Sequence, residues 1–169
     1  MLTLTQLNHA APDQFLTLIG GPLEGQTWLA ERIAPQRPFA SVEALIAVFY
    51  ESASAMTEAE KRILIASHPD LAGKAAIDGS LSATSQQEQA AAGLDRLTPI
   101  EYDTFHQRNA AYKQTFGFPF VICARENTKI SILMAFEARL QNSRSQEIET
   151  GVNEVLKILR LRLLDLVQK

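Results

Sequence analysis

Residues 145–167 read SQEIETGVNEVLKILRLRLLDLV. Apolar residues recur in this stretch at intervals of three and four, at Ile148, Val152, Val155, Leu159, Leu163 and Leu166. This spacing places them on one face of an α-helix. At 1.5 Å per residue the helix would be about 33 Å long, enough to cross a domain of this size.

Helix start signals recur upstream of this stretch, whereas strand signals are nearly absent. In three places a Ser or Thr is followed three residues later by Glu, the pattern of a capping box that satisfies free backbone N–H groups: Thr57–Glu60, Ser85–Glu88 and Thr98–Glu101. Further starts are predicted at Pro12, Pro22, Ser41 and about Thr128.

The segment GFPFVICA, residues 117–124, is short and interrupted by proline, and we expect it to be extended and buried. We therefore predict an all-α fold of seven or eight helices with this one extended segment. The 169 residues, 46% hydrophobic and 21% charged, fit one compact domain over 1–169.

Charge and cysteine usage exclude several classes of protein. The net charge of −3 without a cluster of Lys and Arg argues against a nucleic-acid binder. The single cysteine, Cys123, permits no internal disulfide, which fits a reducing compartment. No apolar run approaches the ~18 residues of a membrane span, and no signal-peptide pattern is present. We expect a cytoplasmic protein that does not bind membranes.

The stretch SHPDLAGKAA, residues 67–76, follows a run of helix-forming residues. Pro69 disfavours the α conformation at His68, so this histidine should lie where a helix ends. The ordinary interpretation of such a sequence is a turn. The functional hypothesis is acid–base catalysis, because an imidazole exchanges protons near neutral pH.

Other catalytic classes lack the residues they need. The histidines at 9, 68 and 106 show no metal-ligand spacing, and no Gly-x-Ser-x-Gly or phosphate-binding glycine motif occurs. Cys123, in an apolar run, is more typical of core packing than of a nucleophile. We expect neither a metal nor a cofactor.

Glu88, Gln89 and Arg162 are candidate ligand-binding residues. The capping box at Ser85 predicts that Glu88 and Gln89 stand at the start of a helix, which alone explains them; the functional hypothesis adds an anion at the helix N-terminus. Arg162 is either a snorkelling side chain or a clamp for a carboxylate or urea carbonyl. Arg160 points roughly 200° away, so at most one of the two arginines faces a given pocket.

Several blocks of the sequence, in order, resemble the OHCU (2-oxo-4-hydroxy-4-carboxy-5-ureidoimidazoline) decarboxylase family of purine breakdown. The blocks are HPDLAGK at 68–74, Ser85 with Glu88-Gln89, AGLD at 92–95, NAAY at 109–112, FGFPFVICAR at 116–125, RLQN at 139–142 and Arg162-Leu163. Leu7-Asn8, Phe15, Trp28 and Arg37-Pro38-Phe39 also fit.

The resemblance implies a cofactor-independent enzyme that forms (S)-allantoin and is a homodimer. By position, it implies that His68 is the catalytic proton donor and acceptor. The substrate-binding residues that it implies are Pro69, Ser85, Glu88, Gln89, Phe120, Val121, Ile122 and Arg162, with Arg160 as the alternative to Arg162.

Two other hypotheses remain open from the sequence. One is a non-enzymatic helical interaction module, which would have no need for His68 and Glu88 to meet. The other is a paralogue that uses the same residues on a different ureido or hydantoin-like acid.

Overall fold

The computed structural model describes residues 2–73 and 81–168, and within them the chain is almost entirely helical. The nine α-helices described are α1 (Leu4–His9), α2 (Pro12–Gly20), α3 (Thr27–Ile33), α4 (Val42–Ser54), α5 (Glu58–Ala66), α6 (Ala83–Ala91), α7 (Pro99–Phe116), α8 (Lys129–Arg139) and α9 (Arg144–Leu166). Short 3₁₀ turns cover Ala34–Gln36 and Ala124–Glu126. The predicted all-α class is confirmed.

The fold divides into two compact units. The first comprises Met1–Ser67 and Leu156–Lys169, and the second comprises His68–Val155. The prediction of a single domain over 1–169 stays a prediction.

The first unit buries one face of each of its helices. Its fully buried side chains include Leu7, Phe15, Ile19, Leu29, Ile33, Leu45, Phe49 and Leu64. Two-residue strands β1 (Leu2–Thr3) and β2 (Val167–Gln168) pair in parallel, with Leu2 opposite Val167. Neither this pairing nor α1 is predicted from the sequence, because two strand residues leave no periodic pattern to detect.

The second unit is built around Tyr112, which is fully buried in the C-terminal part of α7. Its ring lies 4.7 to 6.3 Å from four phenylalanine rings, those of Phe116, Phe118, Phe120 and Phe136. Aromatic pairs at these separations add to the free energy gained by burial. This cluster joins α7, α8 and the segment between them.

The extended segment is confirmed. Residues 118–123 belong to no helix or strand, and Phe118, Phe120, Val121, Ile122 and Cys123 are buried. Gly117 ends α7 at φ +79°, a left-handed conformation that glycine adopts without steric cost. The chain therefore turns out of α7 directly into the extended segment.

Helix caps at three predicted positions are confirmed. Ser41 caps α4, and reciprocal capping boxes at Thr57 and Thr98 open α5 and α7. At Thr57 the backbone N–H, with help from Arg32, lowers the pKa of the Glu60 carboxyl to about 2.

Two predicted helix starts are wrong. Pro22 lies in a turn, and α3 begins only at Thr27. The capping box at Ser85 does not form, because Ser82, three residues earlier, caps α6 and its Oγ accepts from Ser85 N at 3.2 Å. Glu88 therefore lies in the second turn of the helix rather than at its start. None of the described helices combines the length and hydrophobicity that a membrane crossing requires.

Candidate active site

His68 follows the end of α5, as predicted. Ser67 is the C-cap of this helix, and its Oγ donates to the carbonyl of Leu64 at 2.7 Å. The His68 side chain is buried, with 8% of its surface exposed. Pro69 follows it and is partly exposed. An imidazole held away from bulk water on irregular backbone is suited to proton transfer with a bound molecule.

Residues 68–73, which we call the histidine loop, are held by side chains of α6 and α7. The backbone N–H of Ala72 donates to Gln89 Oε1 at 3.0 Å, and the carbonyl of Leu71 accepts from Asn109 Nδ2 at 2.9 Å. Asp70 accepts from Lys113 Nζ at 2.5 Å. Three consecutive residues of the loop after Pro69 are thus bonded to α6 or α7. Residues 74–76 of the predicted motif, and residues 74–80 of the predicted loop, lie outside the described residues.

The backbone of the histidine loop is strained at one residue. Ala72 has φ +50°, in the left-handed region that costs an alanine roughly 1–2 kcal/mol. At Gly73 an added Cβ would stand 2.7 Å from Asp70 Cβ, so only glycine fits. Non-glycine residues remain in such conformations when surrounding contacts fix them, and these positions concentrate at functional sites.

α6 presents three of the predicted residues on one buried face. Ser85, Glu88 and Gln89 occupy positions i, i+3 and i+4 and are 4%, 9% and 6% exposed. A buried carboxylate, amide and hydroxyl on one face of a short, Ala- and Gln-rich helix are unusual for packing alone, because burial of polar groups is costly. This face therefore fits the binding of a polar ligand.

Gln89 has a second role that the sequence does not predict. Its Oε1 accepts from Ala72, so a ligand would meet its amide N–H groups as donors. The predicted contact to substrate and the observed contact to the histidine loop are therefore compatible within one side chain.

Phe120, Val121 and Ile122 lie on the extended segment, which charged side chains hold in place. Arg139 Nη1 donates to the Val121 carbonyl at 2.7 Å, and its guanidinium carbon lies 4.3 Å from the Phe120 ring centroid. Phe136 stacks on Phe120 with the centroids 3.7 Å apart. The backbone N–H of Cys123 donates to Glu154 Oε2 at 2.8 Å.

Arg139 is itself held by a buried carboxylate. Its Nε donates to Glu147 Oε2 at 2.9 Å, and Glu147 also accepts from the Tyr112 hydroxyl and from Asn142 Nδ2. Burial, together with the hydrogen bond to Glu147, raises the pKa of Tyr112 well above its usual value. We call Arg139, Glu147 and Tyr112 the charged network.

Arg162 lies in the first unit, near the end of α9. It is 6% exposed, whereas Arg160 is exposed, which favours Arg162 as the arginine with a defined environment. Its Nη1 lies 2.7 Å from Glu24 Oε1. Its Nη1 also donates to the carbonyl of Pro22 at 3.4 Å.

The other predicted residues fall in the second unit. There the histidine loop is bonded to α6 through Gln89, and α6 is bonded to the start of α8, where Lys129 N donates to the Ala92 carbonyl at 2.9 Å. The sequence does not single out Asn109, Arg139 or Glu147 as supporting residues. Such supporting residues can be recognised as polar residues on the buried face of a helix, but that face is known only once the helical register is known.

Comparison with known proteins gives a consistent result. Residues 8–164 match the family model described as OHCU decarboxylase. A 2-oxo-4-hydroxy-4-carboxy-5-ureidoimidazoline decarboxylase of Xenopus laevis is 39% identical over 98% of this chain and 94% of its own length. One of Halalkalicoccus jeotgali is 36% identical over 98% and 92%. The crystal structure of an (S)-allantoin synthase, 24% identical, superposes with a TM-score of 0.78 over 99% of this chain and 54% of that one, which shows a shared fold.

Proposed function

This chain belongs to the OHCU decarboxylase family, and we propose that it converts 2-oxo-4-hydroxy-4-carboxy-5-ureidoimidazoline to (S)-allantoin, with His68 as the acid–base group. The observation that carries the activity is the family match over almost the whole chain, supported by relatives of that name at 36% and 39% identity. The enzyme is accordingly a carboxy-lyase of urate degradation.

The substrate supplies its own electron sink. When the carboxylate leaves as CO₂, the electron pair left on the ring carbon is delocalised into the adjoining C=N bond. The protein then has to position the ring, stabilise the charge that develops and deliver a proton to one face of the neighbouring ring carbon, which bears the ureido group. Amino-acid side chains suffice for these three tasks.

His68 is proposed to take the proton from the substrate hydroxyl, whose carbon becomes a ring carbonyl, and to deliver a proton to the neighbouring ring carbon that bears the ureido group. Its burial and its position in a loop fixed by α6 and α7 support this role. Positioned acid–base groups typically contribute about 10²–10⁴-fold to the rate. Pro69 is proposed to line the substrate pocket beside His68.

The other predicted residues are proposed to orient the substrate. Glu88 would accept hydrogen bonds from ring or ureido N–H groups, Ser85 and the amide of Gln89 would bond its polar atoms, and the segment Phe120–Ile122 would contact the ring. Arg162 would bind a carboxylate or carbonyl. An arginine that binds the carboxylate equally in ground and transition states does not accelerate its loss, so we assign Arg162 to orientation.

The experiment that tests the proposal generates the substrate in situ from urate with urate oxidase and hydroxyisourate hydrolase. The native protein should release CO₂ and form (S)-allantoin faster than the spontaneous reaction. His68→Asn should lose about 10²–10⁴-fold, and the exposed histidine variant His106→Asn should retain the native rate. Native-like, stereospecific turnover by His68→Asn would remove the role assigned to His68.

Arg162→Gln provides a separate test of orientation. The variant should raise KM more than it lowers kcat, since it removes a contact made in both ground and transition states. An unchanged kcat/KM would remove Arg162 from the substrate contacts.

We further propose that the protein is a cytoplasmic homodimer. The second unit exposes apolar side chains at Ile130 and Met134, one turn apart on α8, and at Ile100. Glu101, the residue after Ile100, pairs with Lys129 at 2.6 Å, which brings the starts of α7 and α8 together. In a sedimentation measurement the native protein should be a dimer, and Ile130→Glu should dissociate more readily into monomers. A monomeric native protein would contradict the proposal.

A further inference from the structure

We propose that Asn109 is a positioning residue for His68 and that it acts, together with Gln89, by fixing the peptide group between Leu71 and Ala72. The inference rests on the acid–base role proposed for His68 above. It concerns a residue of α7 for which no contact with the substrate is needed.

The two side chains bind opposite edges of a single peptide group. Asn109 Nδ2 donates to its carbonyl oxygen at 2.9 Å, and Gln89 Oε1 accepts from its N–H at 3.0 Å. In a planar trans peptide the C=O and N–H bonds point in opposite directions. One carboxamide from α7 and one from α6 therefore hold the plane from both sides.

The orientation of this plane sets the unfavourable backbone angle of Ala72. The peptide that precedes Ala72 defines its φ, which is +50°. Alanine disfavours this region, so without its two hydrogen bonds the peptide would relax toward negative φ. Ala72 lies only four residues after His68, and relaxation there would move the loop that carries the imidazole.

Asn109 also carries a polar atom that lowers the stability of the fold, so a contribution to stability does not by itself explain its presence. It is 5% exposed, and its Oδ1 has no hydrogen-bond partner among the described residues. A buried acceptor without a partner opposes folding. Leucine is similar in volume and would remove this acceptor, which favours folding. It would also leave the Leu71 carbonyl without its donor, which opposes folding, so the two effects of Asn109→Leu on the free energy of unfolding partly cancel.

The experiment compares steady-state kinetics of the native protein and Asn109→Leu, at a temperature where both are folded. We expect kcat to fall by about 10- to 100-fold, the effect of misplacing a catalytic group by about 1 Å, with KM within about twofold. The matched control is Asn8→Leu. Asn8 also binds both polar groups of a backbone residue, Phe39, at 2.9 Å each, but in the first unit, and its loss should lower stability without lowering kcat.

A rescue variant separates positioning from a general loss of structure. Glycine adopts positive φ without steric cost, so Ala72→Gly should keep the loop conformation when the hydrogen bond from Asn109 to the peptide group is lost. Asn109→Leu/Ala72→Gly should therefore recover part of the lost kcat. In NMR spectra of the histidine rings, Asn109→Leu should shift or broaden the His68 signal while the signal of exposed His9 stays in place.

The outcomes distinguish a failure of the proposed function from a failure of the positioning role of Asn109. If the native protein does not accelerate allantoin formation, the proposed function fails. If it does, and His68→Asn is inactive while Asn109→Leu keeps the native kcat, or loses it only in proportion to unfolding, the positioning role alone is overturned. Should Asn109→Leu not fold, Asn109→Ser, whose shorter side chain cannot keep the 2.9 Å bond, replaces it with the same expectation.

Discussion

The histidine loop and the extended segment are both irregular stretches of backbone in the second unit, yet they are fixed by different chemistry. The buried bonds to the loop come from neutral carboxamides, Asn109 and Gln89, whereas its ion pair with Lys113 is partly exposed. Ions hold the segment, through Arg139 on the Val121 carbonyl and Glu154 on the Cys123 N–H. Buried ions cost far more when a partner is lost than neutral groups do. The segment is therefore fixed more rigidly, and the loop with its strained Ala72 is the more adjustable of the two.

The largest effect is expected from breaking the charged network. Arg139→Met leaves Glu147, which is fully buried, without its cation, so the free energy of unfolding should fall by about 3–5 kcal/mol in a urea titration. Arg108→Met removes an arginine from a pair with Glu137 in which both side chains are exposed, and should change it by less than about 1 kcal/mol. Equal effects of the two variants would contradict the contrast drawn between the regions.

Tyr112→Phe tests the same network by pH. Loss of a hydrogen bond to a charged group should cost about 1.5–3 kcal/mol at neutral pH. The pKa of Tyr112 is raised in the folded protein, so the unfolded chain releases this proton first. The native advantage over Tyr112→Phe should be complete below pH ~10 and should decrease as pH rises above it. A difference that stays constant from pH 8 to pH 11 would refute this.

A glycine substitution tests the loop. Gly73→Ala places a methyl group 2.7 Å from Asp70 Cβ, and the resulting shift should cost about 1–3 kcal/mol and lower the decarboxylation rate. Gly21 is the control: it has φ −59° and no atom within 4 Å of an added Cβ, so Gly21→Ala should be neutral or stabilising by up to about 1 kcal/mol. Thermal unfolding and the coupled urate assay measure both quantities.

The smallest effect is expected at the surface of the loop. Lys113 and Asp70 form a partly exposed ion pair, with side chains 46% and 28% exposed. Lys113→Met should change the free energy of unfolding by at most about 1 kcal/mol, and the difference from the native protein should shrink in 1 M salt, which screens exposed charges. An effect as large as that of Arg139→Met would remove the distinction between the two regions.

Sequence patterns predict well where the interaction is local. Such local predictions are confirmed at the caps Thr57 and Thr98, at the end of α5 before His68 and along α9. Each depends on residues that lie within one or two helical turns of one another. At α6 two serines three residues apart, Ser82 and Ser85, both suit an N-cap, and local chemistry did not distinguish them.

Contacts distant in sequence could not be predicted in this way. Asn109 reaches a carbonyl 38 residues away, and Arg139 one 18 residues away. Such partners depend on how helices pack, so no spacing in the sequence indicates them. Some candidate site residues, such as His68 and Arg162, stood out by sequence pattern, and the resemblance to the family supplied the others. Their roles stay predictions that the variants above test.

The pairing of Leu2–Thr3 with Val167–Gln168 has a practical consequence for protein engineering. Because the two strands are parallel, a linker from residue 168 to residue 2 has to run back along the pair, so a glycine-rich connection of about a dozen residues is needed to join them. A circular permutant made this way could be opened at an exposed position such as Gly25, in the turn before α3. Such a chain would carry its new ends next to α3 and keep α6 and the histidine loop in their native order.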